Sequence, residues 1–265
     1  AAKPEFTLET DSSKAASPES DLPVLLPATY TDFFLYLFGG FGIFVLSGGI
    51  LAYVFNVEEI TFPLVIGSIL LNVLILGGCT YFLGIKRNKI SWSSLGIFPS
   101  KWQPRYFMVA IGLAVGLMPL RGIVAFLVQL AVEGGFDSLN ARADLFMVGG
   151  LTWSGFLINL VGIGVMAPVA EELYFRGLLH TWFRQKWGLK LGVAASSLVF
   201  GLAHFDSIGV AVSAWIMGIV IALAYERTKT LWLPIAIHIA TNSVAVVFLY
   251  ISMLLQNVID LPVGF

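Results

Sequence analysis

Charged residues are scarce in this sequence. Only 12% of its 265 residues are Asp, Glu, Lys or Arg, whereas 58% are hydrophobic, and the mean hydropathy is +0.88. A soluble domain carries roughly a quarter charged residues, so this composition excludes an ordinary soluble protein and predicts an integral membrane protein. The net charge of −1 gives no sign of a nucleic-acid partner.

Cysteine is almost absent as well. The single Cys79 lies inside an apolar run, so the sequence has no disulfide framework and gives no information on the redox state of its compartment. The first 30 residues are rich in Ser, Pro and acidic side chains, which is typical of a disordered or surface-lying tail. They lack an initiating Met, the apolar core of a secretory signal and the arginines of a transit peptide.

Long apolar runs are what the sequence has in abundance. Most reach the ~20 residues that a bilayer-spanning helix needs, and they are unbroken, unlike the alternating strands of an outer-membrane barrel. They predict an all-α, polytopic membrane helix bundle of about seven transmembrane helices, with six to eight as the range. The runs are 33–55, 62–84, 106–131, 151–170, 191–204, 208–224 and 231–255.

Basic residues are concentrated in three connections, 85–105, 176–190 and 225–230. The intervening connections are mainly acidic, with Arg142 their only basic residue. Because basic loops stay on the cytoplasmic side of a membrane, strict alternation predicts an N-terminus on the cytoplasmic or stromal side and a C-terminus opposite.

Ionisable side chains within the apolar runs mark candidate functional sites, because each costs about 2.5–3.5 kcal/mol at mid-helix. The stretch EELYFRG places Glu172 and Arg176 four residues apart on one helical face, where they can form an ion pair. Glu171 is turned about 100° away from that face. We expect its carboxyl to lack a local partner, to hold a proton more tightly in a dry cavity, and to act as a general base. The alternative is that both acids lie at the water interface.

Two further pairs have the same four-residue spacing. Phe200 and His204 share one helical face, and His238 projects with Asn242 from an otherwise apolar helix. Alone, His204 is explained better by an interfacial position than by catalysis, and His238 is explained equally well by catalysis or by a structural hydrogen bond with Asn242 across helices. Together, these groups need to converge, because each would otherwise be an uncompensated polar group in hydrocarbon, and their sum predicts a hydrolytic site. We interpret His180, in a basic stretch, as interfacial.

These three pieces resemble the signature of the CPBP family, the CAAX protease and bacteriocin-processing (Abi-type) group of intramembrane proteases. Its motifs E-E-x-x-x-R, F-x-x-x-H and H-x-x-x-N occur here in order. They correspond to Glu171-Glu172 with Arg176, Phe200 with His204, and His238 with Asn242. The similarity covers roughly residues 150–245, including the segment from 215 to 242, and extends more weakly to SSLGIFPSKW at 93–102.

The resemblance implies peptide-bond hydrolysis in a membrane-embedded cavity open to the cytoplasmic or stromal side. The catalytic residues would be Glu171, which activates the water, His204, which assists it, and His238 and Asn242, which stabilise the oxyanion. The supporting residues would be Glu172, Arg176 and Phe200. The substrate would be a membrane protein or a lipidated peptide, with a prenylated C-terminus as one option by analogy.

A metal ion is the main open question about cofactors. Glu171, His204 and His238 could form a weak zinc site, since zinc accepts nitrogen and oxygen ligands and leaves a position for water. However, no H-E-x-x-H spacing fixes metal ligands locally. We therefore expect no tightly bound cofactor.

The alternative function is a non-catalytic or moonlighting scaffold or assembly factor of the same fold within a larger membrane complex. Gly112 and Gly116 form a small-xxx-small pair that could pack against a partner helix. A transporter is less favoured, because no inverted repeat is visible. In either case the lipid bilayer is a partner.

The predicted organisation has four parts: a tail over 1–30, N-terminal transmembrane helices over 31–149, CPBP-type catalytic helices over 150–255, and a short C-terminal tail over 256–265. The predicted location is a chloroplast or thylakoid membrane, or a bacterial plasma membrane. The acidic tail and missing Met slightly favour a processed organellar or photosynthetic-membrane protein.

Simple alternation creates one conflict. It places Glu171 near the basic face and His204 about 20 Å away, at the far end of the 14-residue run 191–204. We expect a helix break at Pro168, with a tilted or re-entrant helix after it, or a different number of spans. Arg121 has three interpretations, namely a break at Pro119, an acidic partner on another helix, or snorkelling from a tilted span.

Overall fold

The computed structural model of the chain describes residue 26 and residues 29–54, 61–147 and 149–259. These residues form helices and turns with no β-strand, which confirms the all-α prediction. Six helical segments are long and apolar enough to cross a membrane, so the chain is an integral, multi-pass membrane protein. Most of the predicted N-terminal tail, and residues 260–265 of the predicted C-terminal tail, lie outside the described residues.

Eight helices can be distinguished in the described part of the chain. Helix α1 comprises Tyr30–Tyr36, a π-helical stretch Leu37–Gly42 and Ile43–Val54, and α2 comprises Phe62–Cys79 and a π-helical stretch Thr80–Lys86. After two short 3₁₀ turns, Trp92–Leu95 and Pro99–Lys101, come α3 (Arg105–Glu133) and α4 (Asp137–Met147). The helical run Trp153–Leu202 follows, and we call its part before Gly188 α5 and its part after Gly188 α6. Helices α7 (Ile208–Thr228) and α8 (Trp232–Ile259) complete the fold.

The chain reverses direction at Gly188, between α5 and α6. This residue has φ 77° and ψ 179°, a conformation that favours glycine because it has no Cβ. Side chains on either side of the turn then meet in antiparallel order: a Cβ on Gly192 would lie 2.8 Å from the Arg184 Cα, and His180 Nδ1 lies 2.9 Å from Ser196 Oγ. The two helices therefore form a tight hairpin.

Small residues allow α6 and α7 to pack closely. A Cβ added to Gly201 would lie 2.7 Å from the Trp215 Cβ, and one added to Gly218 would lie 3.1 Å from the Ser197 Cβ. In lipid, such close backbone approach is a main source of helix association, because hydrophobic burial contributes little there. Helix α3 packs across both α7 and α8 on the other side.

The three basic connections predicted from the sequence meet at one end of the bundle. The Gly96 carbonyl, in the loop after α2, accepts hydrogen bonds from Leu231 N (2.9 Å) and Thr230 Oγ1 (2.9 Å), in the turn before α8. Glu226, at the end of α7, binds Arg184 of α5 at 3.1 Å. The loop 93–102, which resembles the family more weakly, is thus anchored to the turn that leads into the His238 helix.

Two predictions about this region were wrong. The stretch 176–190 is not a connection, because the helix continues through it to Gly188 and buries Arg176. His180 is not interfacial, because it is fully buried and binds Ser196 and Glu226. Because α5 continues to Gly188, Arg176 of the motif lies inside the bundle.

The predicted break at Pro168 does not occur. The π-helical stretch Gly162–Met166 directly precedes the proline, and the helix continues through Ala167–Glu172. Such widened turns accommodate groups that disturb the regular hydrogen-bond ladder, and here they accommodate a residue without an N–H. The predicted break at Pro119 is also absent, because α3 is continuous.

The hairpin at Gly188 resolves the conflict over Glu171 and His204. Because α6 runs back along α5, its end returns to the level of the acidic motif, and Phe175 of α5 packs edge-to-face on Phe200 of α6 with ring centroids 5.2 Å apart. His204 follows Phe200 by one turn. The hairpin thus returns the end of the run that carries His204 to the level of Phe175, four residues from Glu171.

Tyr174 joins α5 to the π-helical stretch of α1. Its hydroxyl donates to the Tyr36 carbonyl at 2.7 Å and accepts from Phe41 N at 2.9 Å. A Cβ on Gly40 would lie 2.4 Å from the Tyr174 ring, so glycine is needed for this approach. The hydroxyl thereby occupies the gap that the widened turn leaves in the α1 ladder.

We predict that Tyr174→Phe destabilises the protein by about 1–3 kcal/mol, because it leaves a buried N–H and a buried carbonyl without their shared partner. The free energy of unfolding, measured by denaturant titration in detergent, tests this. The matched control is Tyr81→Phe, whose side chain is largely exposed. Equal stability of the two variants would contradict the assigned role.

Candidate active site

The predicted ion pair between Glu172 and Arg176 is present on α5. Arg176 Nη1 donates to Glu172 Oε1 at 2.9 Å, and both side chains are at most 1% exposed. Four-residue helical spacing places the two groups on one face, as the sequence predicted. Each charge is therefore compensated inside the bundle.

Arg176 also binds the neighbouring helices. Its Nη2 donates to the Gly218 carbonyl of α7 at 3.2 Å, and its guanidinium lies 4.3 Å from the centre of the Phe200 ring on α6. A guanidinium is attracted to an aromatic face, most strongly where water is excluded. This single side chain thus connects α5, α6 and α7.

His238 brings the last motif to the acidic pair. Its Nδ1 lies 2.7 Å from Glu172 Oε1, so Nδ1–H donates to the carboxylate and fixes the orientation of the ring. Its Nε2 then faces Glu171, with 3.6 Å to Oε2. The imidazole consequently lies between the two carboxyl groups.

Glu171 differs from its neighbour as the sequence predicted. Its Oε2 atom is buried and has no hydrogen-bond partner among the described residues, and its side chain is 14% exposed against 0% for Glu172. Glu172 thus accepts two hydrogen bonds through Oε1, although its Oε2 is also buried without a partner, whereas Glu171 accepts none from the described residues.

His204 and His238 both lie against the Phe200 ring. The Phe200 ring centroid is 5.1 Å from that of His204 and 5.5 Å from that of His238. Nδ1 of His204 lies 3.0 Å from the Phe200 carbonyl and donates to it, which leaves the lone pair of the neutral ring on Nε2.

Asn242 of α8 forms one side-chain hydrogen bond within the described residues, to α5. Its Nδ2 donates to the Ile163 carbonyl of α5 at 3.2 Å, one helical turn from His238. The adjacent Ser243 Oγ donates to the Gly164 carbonyl at 3.4 Å. These bonds fall on the π-helical stretch of α5, where carbonyls are released from the regular ladder.

Sequence reasoning missed two features of this site. The hydrogen bond from His238 to Glu172 joins motifs that are 66 residues apart, and no local spacing could indicate it. Gly218 supplies a carbonyl to Arg176 and allows α6 to approach. Its position as a glycine in the middle of a membrane helix was the available signal.

The residues that could hold a metal do not form a compact ligand set. In the part of the chain that the structure describes, no three His, Cys, Asp or Glu side chains are close enough to bind one ion, and this includes Glu171, His204 and His238. The Nδ1 atom of His238 is also committed to Glu172. The arrangement thus does not fit the weak zinc site considered above.

An apolar groove of about 340 Å³ lies away from these residues, near the start of α5 and the end of α8. Its lining residues include Trp153, Phe156 and Tyr250. The predicted site residues are not among them. Arg121 also stands apart, because no acidic partner for it occurs within the described ranges.

Comparison with known families singles out the same part of the chain. Residues 153–244 match the family model described as type II CAAX prenyl endopeptidase Rce1-like. This stretch includes all seven predicted site residues, from Glu171 to Asn242.

Three bacterial relatives are similar to parts of the chain. YdiL of Bacillus subtilis, whose name describes a membrane peptidase, is 27% identical over 146 residues, or 51% of this chain and 57% of the relative. The membrane-embedded CAAX protease MroQ of Staphylococcus aureus is 34% identical over 154 residues, or 55% and 60%. A 24.3 kDa Escherichia coli protein described as uncharacterized is 28% identical over 96 residues, or 35% and 44%. The chain thus spans about half the length of these relatives, and no solved structure matches it.

We predict that Arg176→Met destabilises the protein by about 3–5 kcal/mol, because it leaves the buried Glu172 without its cationic partner. The double variant Glu172→Gln with Arg176→Met should recover part of this loss, since no uncompensated charge remains. Unfolding free energies in detergent provide the measurement.

The control is Arg87→Met, which breaks the ion pair with Asp32 at a guanidinium that is 46% exposed. That change should cost at most about 1 kcal/mol. Equal losses for Arg87→Met and Arg176→Met, or no recovery in the double variant, would contradict the role assigned to the buried pair.

Proposed function

We propose that this chain belongs, through residues 153–244, to the CPBP family of intramembrane proteases and that it hydrolyses peptide bonds within the membrane. The observation that carries the proposal is the contrast between the two acids. Glu172 accepts hydrogen bonds from Arg176 and His238 through Oε1, whereas Glu171 accepts none from the described residues, and its Oε2 lies 3.6 Å from His238 Nε2.

The proposed reaction begins with Glu171 as general base. Its carboxylate takes a proton from a water molecule as the water oxygen bonds to the scissile carbonyl carbon and the carbonyl electron pair moves onto oxygen. The Nε2 lone pair of His204 assists by orienting the water. When the tetrahedral intermediate collapses, the C–N bond breaks and Glu171 returns the proton to the leaving amine.

His238 is proposed to stabilise the oxyanion of that intermediate. Because Nδ1–H is bound to Glu172, the protonated ring presents Nε2–H on the side that faces Glu171. The positive charges of the imidazolium and of Arg176 are then balanced by the two carboxylates. Asn242 can add a second donor, because its amide has two N–H groups and only one contact, to Ile163, is formed.

The proposed substrate is a membrane protein or a lipidated peptide. The descriptions of the matching family and of MroQ both refer to CAAX, which supports a prenylated C-terminal peptide as the first substrate to test. Hydrolysis requires that water and one peptide segment reach Glu171, and we propose that they enter from the basic end of the bundle, which faces the cytoplasm by the distribution of positive charge. The N-terminus would then lie on the cytoplasmic side. The relatives described above support a bacterial plasma membrane and not a thylakoid location.

We predict that Glu171→Gln lowers kcat by about 100- to 10,000-fold, the range over which general acid–base catalysis contributes. The assay is cleavage of a farnesylated CAAX reporter peptide by purified protein in liposomes. The matched control is Asp144→Asn, an exposed acid on α4 that forms no side-chain hydrogen bond within the described residues and should retain full activity.

Two outcomes would reject the enzyme assignment. Glu171→Gln could cleave the reporter as fast as the unmodified chain, or the unmodified chain could fail to cleave both this reporter and unlipidated transmembrane peptides. In the second case, co-isolation of the chain with a large membrane complex under mild detergent would support the scaffold alternative.

We predict that removing metal ions leaves the activity within about twofold, because the donor atoms do not form a zinc site. Dialysis against EDTA and 1,10-phenanthroline, followed by the reporter assay and by atomic absorption for zinc, tests this. Loss of activity that added zinc restores would contradict the metal-independent mechanism.

A further inference from the structure

The turn between α6 and α7, residues 203–207, carries His204 and lies outside both helices. Within the turn, His204 N donates to the Gly201 carbonyl at 3.0 Å, and the His204 carbonyl accepts from Ser207 N at 3.4 Å. A short connection with so few internal bonds needs support from its surroundings to hold a side chain in one place.

Gln129 of α3 provides such support. Its side chain is fully buried, and its Oε1 accepts two hydrogen bonds, from Ser207 Oγ at 3.1 Å and from Gly209 N at 3.1 Å. Its Nε2 donates to Ser138 Oγ at 2.7 Å, at the start of α4. Every polar atom of this amide is therefore engaged.

The contact with Gly209 amounts to an N-cap supplied from another helix. Ser207 stands at the N-cap position of α7 but makes no capping bond with its own side chain, because its hydroxyl is directed to Gln129. Gln129 accepts the Gly209 N–H in its place, one of the donors that the start of a helix leaves without a partner.

Gly209 is the residue that lets α3 come so close. A Cβ at this position would lie 2.4 Å from the Ala125 carbonyl oxygen and 3.0 Å from Gln129 Oε1. Both obstacles belong to α3, and one of them is rigid backbone. Gly209 thus provides both the N–H that Gln129 binds and, because it has no Cβ, the space that α3 needs.

A second restraint acts on the same turn. Asp206 forms an ion pair with Arg142 of α4, and the Arg142 guanidinium lies 5.2 Å from the centre of the Phe146 ring. Asp206 and Ser207 are thus both tied to elements before the family match. Of the two residues that hold the turn, Gln129 is fully buried, whereas Arg142 is partly exposed.

We propose that Gln129 is a positioning residue for His204, acting through Ser207 and Gly209. The inference rests on the proposed function, in which His204 assists the attacking water. Gln129 does not contact the reacting atoms, and it lies outside the matched residues 153–244. The N-terminal helices therefore contribute to the geometry of the active site.

The first test compares Gln129→Leu with Gln129→Glu in the reporter assay. Leucine removes both acceptors, and we expect kcat to fall about 10- to 100-fold with KM within about twofold, since small displacements of a catalytic group have effects of this size. Glutamate keeps an acceptor for Ser207 and Gly209 and places a negative charge at the start of α7, where it is favourable, so it should restore most of kcat.

The second test does not depend on activity. A nitroxide label is attached at Phe205→Cys, an exposed position in the turn, in a chain whose single native cysteine is removed by Cys79→Ala. Electron paramagnetic resonance in liposomes should show a more mobile label with Gln129→Leu and an unchanged label with Gln129→Glu.

The control for general destabilisation is Asn88→Leu, which removes another amide that donates to Tyr36 and to the Leu83 carbonyl, away from the turn. It should change neither kcat nor the spectrum. A folded Gln129→Leu variant with unchanged label mobility, or with a kcat equal to that of Asn88→Leu, would overturn the inference. If Glu171→Gln proves fully active, the proposed function fails, and the spectra alone still decide whether Gln129 holds the turn.

Discussion

The structure depends on one buried carboxylate. Glu172 has no contact with solvent, and in the interior of a membrane bundle a carboxylate is stable only when charged or polar groups surround it. Arg176 and His238 meet this requirement from α5 and α8, and Arg176 in turn engages α6 and α7. The need to compensate this one charge thus brings four helices together, and Glu171, the preceding residue, lies beside them within 3.6 Å of His238 Nε2.

Close packing of backbone supports this arrangement. Lipid tails are as apolar as leucine, so the helices associate through van der Waals contact and polar bonds and not through hydrophobic burial. Gly201, Gly209 and Gly218 each lie where a Cβ would meet a neighbouring helix. Gly188 has a different role, because its left-handed conformation reverses the chain and gives α6 its short return path.

The N-terminal helices are part of the same unit. Tyr174 fills the widened turn of α1, Trp182 stacks on Phe33 with ring centroids 4.2 Å apart, and Gln129 reaches the turn that carries His204. These contacts join the residues before 153 to the family-matched region. The division into N-terminal and catalytic helices, predicted from the resemblance, therefore describes similarity and not structural independence.

The sequence by itself determined the membrane character, the helical fold, and the ion pair of Glu172 with Arg176, because apolar run length and four-residue spacing are local properties. The tertiary structure decided the contacts between residues that are far apart in the sequence. It made His238 the partner of Glu172, buried His180, directed Asn242 to Ile163, and turned α6 back along α5 so that His204 approaches the acidic motif. The physical reason is that hydrogen bonds between distant segments depend on where each helix turns, and that was set by Gly188 and by the π-helical stretch before Pro168.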